Sequence, residues 1–107
     1  MTDVRPWLKN YPKGVPANID EDKYATLVEY VNEMSKAYGK RPAFSCMGKT
    51  LTYKEVDTMS DHLGAYLNHR GLQPGDKVAL MMPNLLQYPI ALFGCLKAGL
   101  IIVHTNP

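Results

Sequence analysis

At 107 residues, 46% of them hydrophobic and 21% charged, the chain has a globular composition and roughly the length of one small domain, which argues against disorder. Its net charge of +2, with acids and bases interspersed, supplies no basic stripe of the kind that tracks a phosphate backbone, so nucleic acid is a poor partner. Gln87 and Lys97 interrupt the most hydrophobic stretch, and Asp3, Arg5 and Pro6 stand where a signal peptide needs an apolar block, which predicts a soluble, cytoplasmic chain.

Residues 1–19 carry Pro6, Pro12, Gly14 and Pro16 and no helical or strand period, so they read as an extended arm. Trp7, Leu8 and Tyr11 are its anchors against a body. Arg5, Lys9 and Lys13 against Asp3 leave the arm basic, which brings a peripheral contact with the inner face of a membrane into view beside plain packing on its own protein. Residues 20–107 read as an incomplete α/β unit. Tyr24, Leu27, Val28, Val31, Met34 and Tyr38 recur at steps of three and four, the apolar stripe of a helix. Thr26 with Glu29 fits a capping box, although Asp20 to Asp22 could start the helix a turn earlier; Gly39 and Pro42 end it.

Ala43–Cys46 and Thr50–Thr52 flank a Met47, Gly48, Lys49 turn and predict a hairpin. Thr52 with Glu55 is a second capping box, with Leu51 and Val56 placed as a hydrophobic staple, so a helix begins at Tyr53. Its expected core face is Val56, Met59, Leu63, Tyr66 and Leu67. Gly71 closes it, and Gln73 to Asp76 turn the chain.

Val78–Met82 and Leu100–Val103 are unbroken apolar runs without alternation, the pattern of parallel strands covered on both faces. The 17 residues from Pro83 to Gly99 leave room for a crossover helix. Asn84 with Gln87 resembles a capping box, but Pro89 would then lie inside the helix, so the regular turns should start near Gln87 or Tyr88. The body, Ile90 to Leu96, is apolar almost all round and should be sandwiched. Lys97 in the last turn faces exposed carbonyls, and Gly99 follows where φ turns positive. A sheet of two parallel strands is incomplete, which points to a part of something larger or to a small unit completed as a homodimer.

Candidate chemistry is sparse. Gly94–Gly99 (GCLKAG) has the glycine spacing of a phosphate loop, but Leu100 and Ile101 follow where Lys and Ser/Thr are needed, and the glycines lead from helix to strand. Gly71–Lys77 fails for the same reason, and no dinucleotide fingerprint follows Met82. His62 and His69 lie seven apart on one helix, beyond the i, i+4 spacing of a zinc helix, and read as solvated. His104 closes a parallel strand, where ligands gather in open α/β sheets; without a carboxylate, cysteine or second histidine beside it, a structural or supporting role is expected. Cys46 and Cys95 read as free, buried thiols. No residue is nominated as catalytic, cofactor-binding or metal-ligating.

The segments WLKNYPKGVPANID at 7–20, RPAFSCMGKTLTYKEVDTMSDHLGAYL at 41–67 and GLQPGDKVALMMPNLLQYPIALFGCLKAGLIIVHTNP at 71–107 resemble the N-terminal portion of bacterial long-chain fatty-acid–CoA ligases, members of the AMP-forming adenylating enzymes. The resemblance implies the N-terminal part of a large AMP-binding domain. It implies a parent that uses ATP and magnesium to turn a long-chain fatty acid into an acyl-adenylate and then passes the acyl group to coenzyme A. The family's phosphate loop, nucleotide contacts and catalytic lysine would lie beyond Pro107, so the segment alone is expected to be inactive and to bind none of these cofactors. Cys95 and His104 depart from the aliphatic residue and the small polar or aliphatic residue that the resemblance leads one to expect there. The alternative reading is a stand-alone, non-catalytic assembly module that completes its sheet with another chain.

Overall fold

The structure, a computed structural model, describes residues 4–107. A 3₁₀ turn at Pro6–Asn10 is followed by α1 (Leu27–Tyr38), the hairpin β1 (Pro42–Cys46) and β2 (Lys49–Thr52), and α2 (Tyr53–His69). Then come β3 (Lys77–Leu80), α3 (Gln87–Lys97) and β4 (Ile101–His104). The strands form two separate pairs, β1–β2 antiparallel and β3–β4 parallel, with Lys77 opposite Ile101 and Leu80 opposite His104.

Local chemistry accounts for most of these boundaries. Thr52 Oγ1 accepts from the Glu55 N–H at 3.2 Å while the Glu55 carboxylate accepts from the Thr52 N–H at 2.7 Å, a complete reciprocal box at the head of α2. At α1 the box is offset: Thr26 accepts from Glu29 N–H, but the Glu29 carboxylate reaches the Ala25 N–H, and the helix does not begin at Asp20 to Asp22. The hairpin loop is two residues rather than three, with Met47 at φ 52° and Gly48 at φ 81°, the doubly left-handed turn that matches strand twist. Both α2 and α3 end in Schellman motifs. Gly71 N–H reaches Asn68 O and Leu72 N–H reaches Leu67 O; Gly99 N–H reaches Leu96 O and Leu100 N–H reaches Cys95 O.

α3 begins at Gln87, with Leu86 as its cap residue and no side-chain cap bond, so Asn84 does not cap it. The core is built where α3 lies on the parallel pair and against α2: Leu80, Ala91, Cys95, Ala98 and Leu100 are buried, with Leu63, Leu67, Val78 and Ile102 packed around them.

Three expectations change. The buried face of α2 is Val56, Ser60 and Gly64, with Leu63 and Leu67 beside them, whereas Met59 and Tyr66 are exposed. The crossing with α3 is made by small residues: a Cβ on Gly64 would lie 3.1 Å from Gly94 O, and one on Gly94 would lie 2.9 Å from Leu63 Cδ2. Large side chains at the contact line would hold the helices apart. The parallel strands start one residue from their expected positions and are covered on one face only. Leu80, Leu100, Val78 and Ile102 face the helices, while Ala79, Met81, Ile101 and Val103 are open. Alternation is absent from the sequence because the uncovered face is apolar as well. Finally, the arm contains a 3₁₀ turn, with Pro6 at its start, and Arg5 bonds to Asn18 Oδ1 at 2.6 Å. Trp7 stays 50% exposed, and the turn packs on no other element; the arm's Asp3 lies outside the described residues.

The surface is large for the mass. A folded monomer of 12.0 kDa is expected to expose roughly 6,000 Å², whereas this chain exposes 8255 Å². Its radius of gyration is 17.3 Å, against about 13 Å for a compact domain of this length.

Candidate functional site

In a parallel α/β arrangement, the strand ends that carry carbonyls outward are where ligands sit, because the following loops and helix N-termini converge there. In this chain that end comprises residues 81–86 after β3 and residues 105–107 after β4, tied together by the Thr105 N–H donating to Leu80 O at 3.0 Å. His104 closes β4 there. Its Nδ1 is hydrogen-bonded to the hydroxyl of Tyr88 in the first turn of α3, and the two rings stack with centroids 6.0 Å apart and planes 17° from parallel. The partner missing from the sequence reading is therefore a tyrosine sixteen residues away. The pair fastens the start of α3 to the end of β4, a supporting role.

Beside it lies a cleft of about 350 Å³ between the hairpin and the start of α3, lined by Phe44, Cys46, Leu85, Tyr88 and Phe93 among others. Cys46 Sγ donates to Asn84 O at 3.8 Å across its mouth. The lining is apolar with few polar groups, able to hold a hydrocarbon surface but without a nucleophile paired to a base.

The other sequence candidates are dispersed. His62 and His69 are both exposed on α2. The glycines of GCLKAG are committed to packing and to the turn: Gly94 meets Leu63, and Gly99, at φ 81°, abuts Pro74. Neither presents a row of free backbone donors. Among the described residues no group of three or more His, Cys, Asp or Glu side chains could hold a metal ion.

Cys95 is a free thiol, 2% exposed in the helix–sheet core, and burial pushes its pKa above the ordinary 9.0 by disfavouring the thiolate. Cys46, also free, is half-buried at the cleft. Ellman's reagent at pH 8 is expected to titrate one thiol in the native chain and two in guanidinium, with Cys46→Ser removing the fast one. Two fast thiols in the native chain would mean that the α3 core opens readily. The favourable contribution of a neutral Cys95 is complete below pH 9.0 and declines as pH rises through the higher folded-state value.

A second polar constellation was not anticipated. Lys97 Nζ turns away from the carbonyls of its own helix and crosses to α2. Its three N–H groups are shared among Asp57 Oδ1 at 2.6 Å, Asp61 Oδ1 at 2.7 Å, Ser60 Oγ at 2.8 Å and Asp57 O at 3.1 Å. The Lys97 side chain is only 10% exposed and Ser60 is fully buried. Four oxygens around one ammonium make a structural pin. Its sequence signal was the D-x-x-S-D spacing on α2, which places three oxygen-bearing side chains on one helical face.

Comparison with known proteins places this arrangement. Residues 31–107 match the AMP-binding enzyme family. The chain is 53% identical over 102 residues to a long-chain-fatty-acid–CoA ligase of Yersinia pestis, covering 94% of this chain and 18% of that protein. It is 37% identical over 107 residues to one of Bacillus subtilis, covering 100% of this chain and 19% of that protein. Among solved structures it is similar to the fatty acid AMP ligase from Legionella pneumophila, with a TM-score of 0.72 and 27% identity over 84% of this chain and 17% of that one. MbtA of Mycobacterium smegmatis superposes with a TM-score of 0.73 and 29% identity over 78% of this chain and 16% of that one. The chain thus spans less than a fifth of the length of these relatives.

Proposed function

Because this chain belongs to the AMP-binding enzyme family, we propose that it forms the N-terminal, non-catalytic portion of a long-chain acyl-CoA synthetase. The observation that carries this reading is identity of about half to long-chain-fatty-acid–CoA ligases across 94% of this chain and 18% of theirs. The uncovered apolar face of β3–β4 supports it, since a large domain would lay further structure there.

The parent would join a long-chain fatty acid to coenzyme A through an acyl-adenylate, using ATP and magnesium. Among the described residues the glycines are packed and the metal donors dispersed, so they build neither a phosphate loop nor a magnesium site. No step of the reaction is therefore assigned to this segment. Its contribution is architectural: the N-terminal segment, described from residue 4 to residue 19, forms an arm, and residues 20–107 supply a helical layer, a hairpin and one βαβ unit. No helix of the described residues is long and apolar enough to cross a membrane. We place the parent in the cytoplasm, with the half-exposed Trp7 and the neighbouring bases as the feature that would allow peripheral contact with the inner membrane face.

Pyrophosphate release from ATP in the presence of oleate tests the proposal. A full-length protein carrying this segment at its N-terminus is expected to release pyrophosphate, and the 107-residue chain alone is expected not to. Release by the segment alone, or none from the intact protein, would overturn it. A specific observation, 49% exposure of Ile101 on the open sheet face, favours a second reading in which the chain pairs with another copy as an assembly module. A strictly monomeric chain in sedimentation would remove that reading.

A further inference from the structure

We infer that the cleft between the end of α1 and the start of α2 binds a phosphate-bearing anion. The cleft, about 610 Å³, is lined by Lys36, Tyr38, Lys40, Arg41, Lys54 and Asp57, with backbone and small residues between them. Four basic residues therefore line one concavity, although the chain as a whole carries only +2. No carboxylate of the described residues lies within salt-bridge distance of any of the four. The one acid in the lining, Asp57, shares the Lys97 ammonium with Asp61, so this trio leaves one net negative charge against the four bases.

Backbone bonds hold the two segments that carry these residues together. Lys54 N–H donates to Gly39 O at 3.0 Å, Tyr53 N–H to Arg41 O at 3.1 Å, and Arg41 N–H to Tyr38 O at 2.9 Å. The Arg41 guanidinium lies over the Tyr38 ring, 5.1 Å from its centroid, which restricts the longest of the four side chains. A Cβ at Gly39 would sit 2.8 Å from Ser35 O and 3.5 Å from Lys54 Cβ, so glycine lets the two segments close.

The ordinary explanation for bases here is the helix dipole, which favours cations at the C-terminus of α1. It covers Lys36, Lys40 and Arg41 but not Lys54. Lys54 stands in the first turn of α2, the positive end, where a cation is disfavoured. A residue placed against its local preference, in a lining whose four bases outnumber its one acid, suits a site that takes an anion from outside. The chemistry favours phosphate over a single carboxylate. Several negative oxygens can be shared among three ammonium groups, and a guanidinium can grip two of them at once.

The test uses pyrophosphate as a soluble probe and vesicles of phosphatidylglycerol, against phosphatidylcholine, as a lipid one, with backbone amide NMR and a binding isotherm on the 107-residue chain. Pyrophosphate is expected to shift the amides of residues 38–41 and 54 saturably. Lys40→Glu with Lys54→Glu should weaken it at least about tenfold, as should raising the ionic strength to screen the cleft. Lys40→Gln with Lys54→Gln should weaken it less, and Lys9→Glu with Lys13→Glu on the arm not at all. If only the anionic vesicles bind, with the same dependence on Lys40 and Lys54, the phosphate chemistry stands and its source is a lipid headgroup. Unaltered binding of both probes by folded Glu and Gln variants, or shifts spread evenly over all surface lysines, would overturn the assignment.

Discussion

Leu100→Ala is expected to cost about 2 to 5 kcal/mol, the range for truncating a buried leucine, and so to abolish the cooperative urea transition of this chain. Leu100 is 4% exposed at the junction of α3 and β4, against Leu80, Ala91, Cys95 and Ala98. Two of these neighbours are alanines and one is a cysteine, side chains too short to move into the vacated space, which puts the loss toward the upper part of the range. The chain has little stability in reserve, because its buried set is small for its length. Ile101→Ala supplies the control. One residue along, it points to the open face, and its loss should shift the midpoint by no more than about 0.5 kcal/mol, as for a surface site. Far-ultraviolet circular dichroism in urea reads both. Equal losses would mean that the second face of β3–β4 is covered in solution, and sedimentation at the same concentration would show whether another copy covers it.

Lys97→Met is expected to destabilise by about 2 kcal/mol. Breaking a fully buried ion pair costs about 3 to 5 kcal/mol, discounted here because the Asp61 side chain is 60% exposed and water takes over part of its solvation. Methionine keeps the aliphatic stem that packs on α2, so the loss reports the ammonium. What remains is the Asp57 carboxylate without its counter-charge, close to a second carboxylate that the ammonium no longer separates from it. Ser60 suffers less, since its hydroxyl still donates to Asp57 O at 2.9 Å. Adding Asp57→Asn and Asp61→Asn to Lys97→Met should recover most of the stability, while the two asparagines alone should destabilise. A triple variant as weak as Lys97→Met would show that the lysine matters through packing alone. The same comparison at 1 M salt should narrow the gap only modestly, because the ammonium itself is shielded from solvent.

The features readable in the sequence were those encoded within a few residues. The capping box of Thr52 and Glu55, the glycines ending α2 and α3, and the start of α3 near Gln87 all depend on neighbours three or four positions away. What escaped depends on where elements meet. Hydrophobic periodicity points to Met59 and Tyr66 on the buried face of α2 because it rewards large side chains, whereas this crossing selects Ser60 and Gly64 for closeness. Lys97 reads as serving its own helix end because its acceptors lie 36 to 40 residues away in the chain. His104 had a partner of a type not sought, Tyr88, and the basic cleft joins Lys36 to Lys54 only after the chain turns back at Gly39. The apolar runs of β3 and β4 correctly marked strands but overstated their cover, since composition cannot distinguish a face packed by this chain from one left open.

The two strand pairs differ in how much chain must be gathered to form them. β1 and β2 meet across two residues, whereas Lys77 must find Ile101, 24 positions along. Loop-closure entropy alone makes the second encounter dearer by about 2 kcal/mol. The parallel pair therefore depends more on the surfaces packed against it, and α3, held against α2 at the Gly64–Gly94 crossing, supplies one.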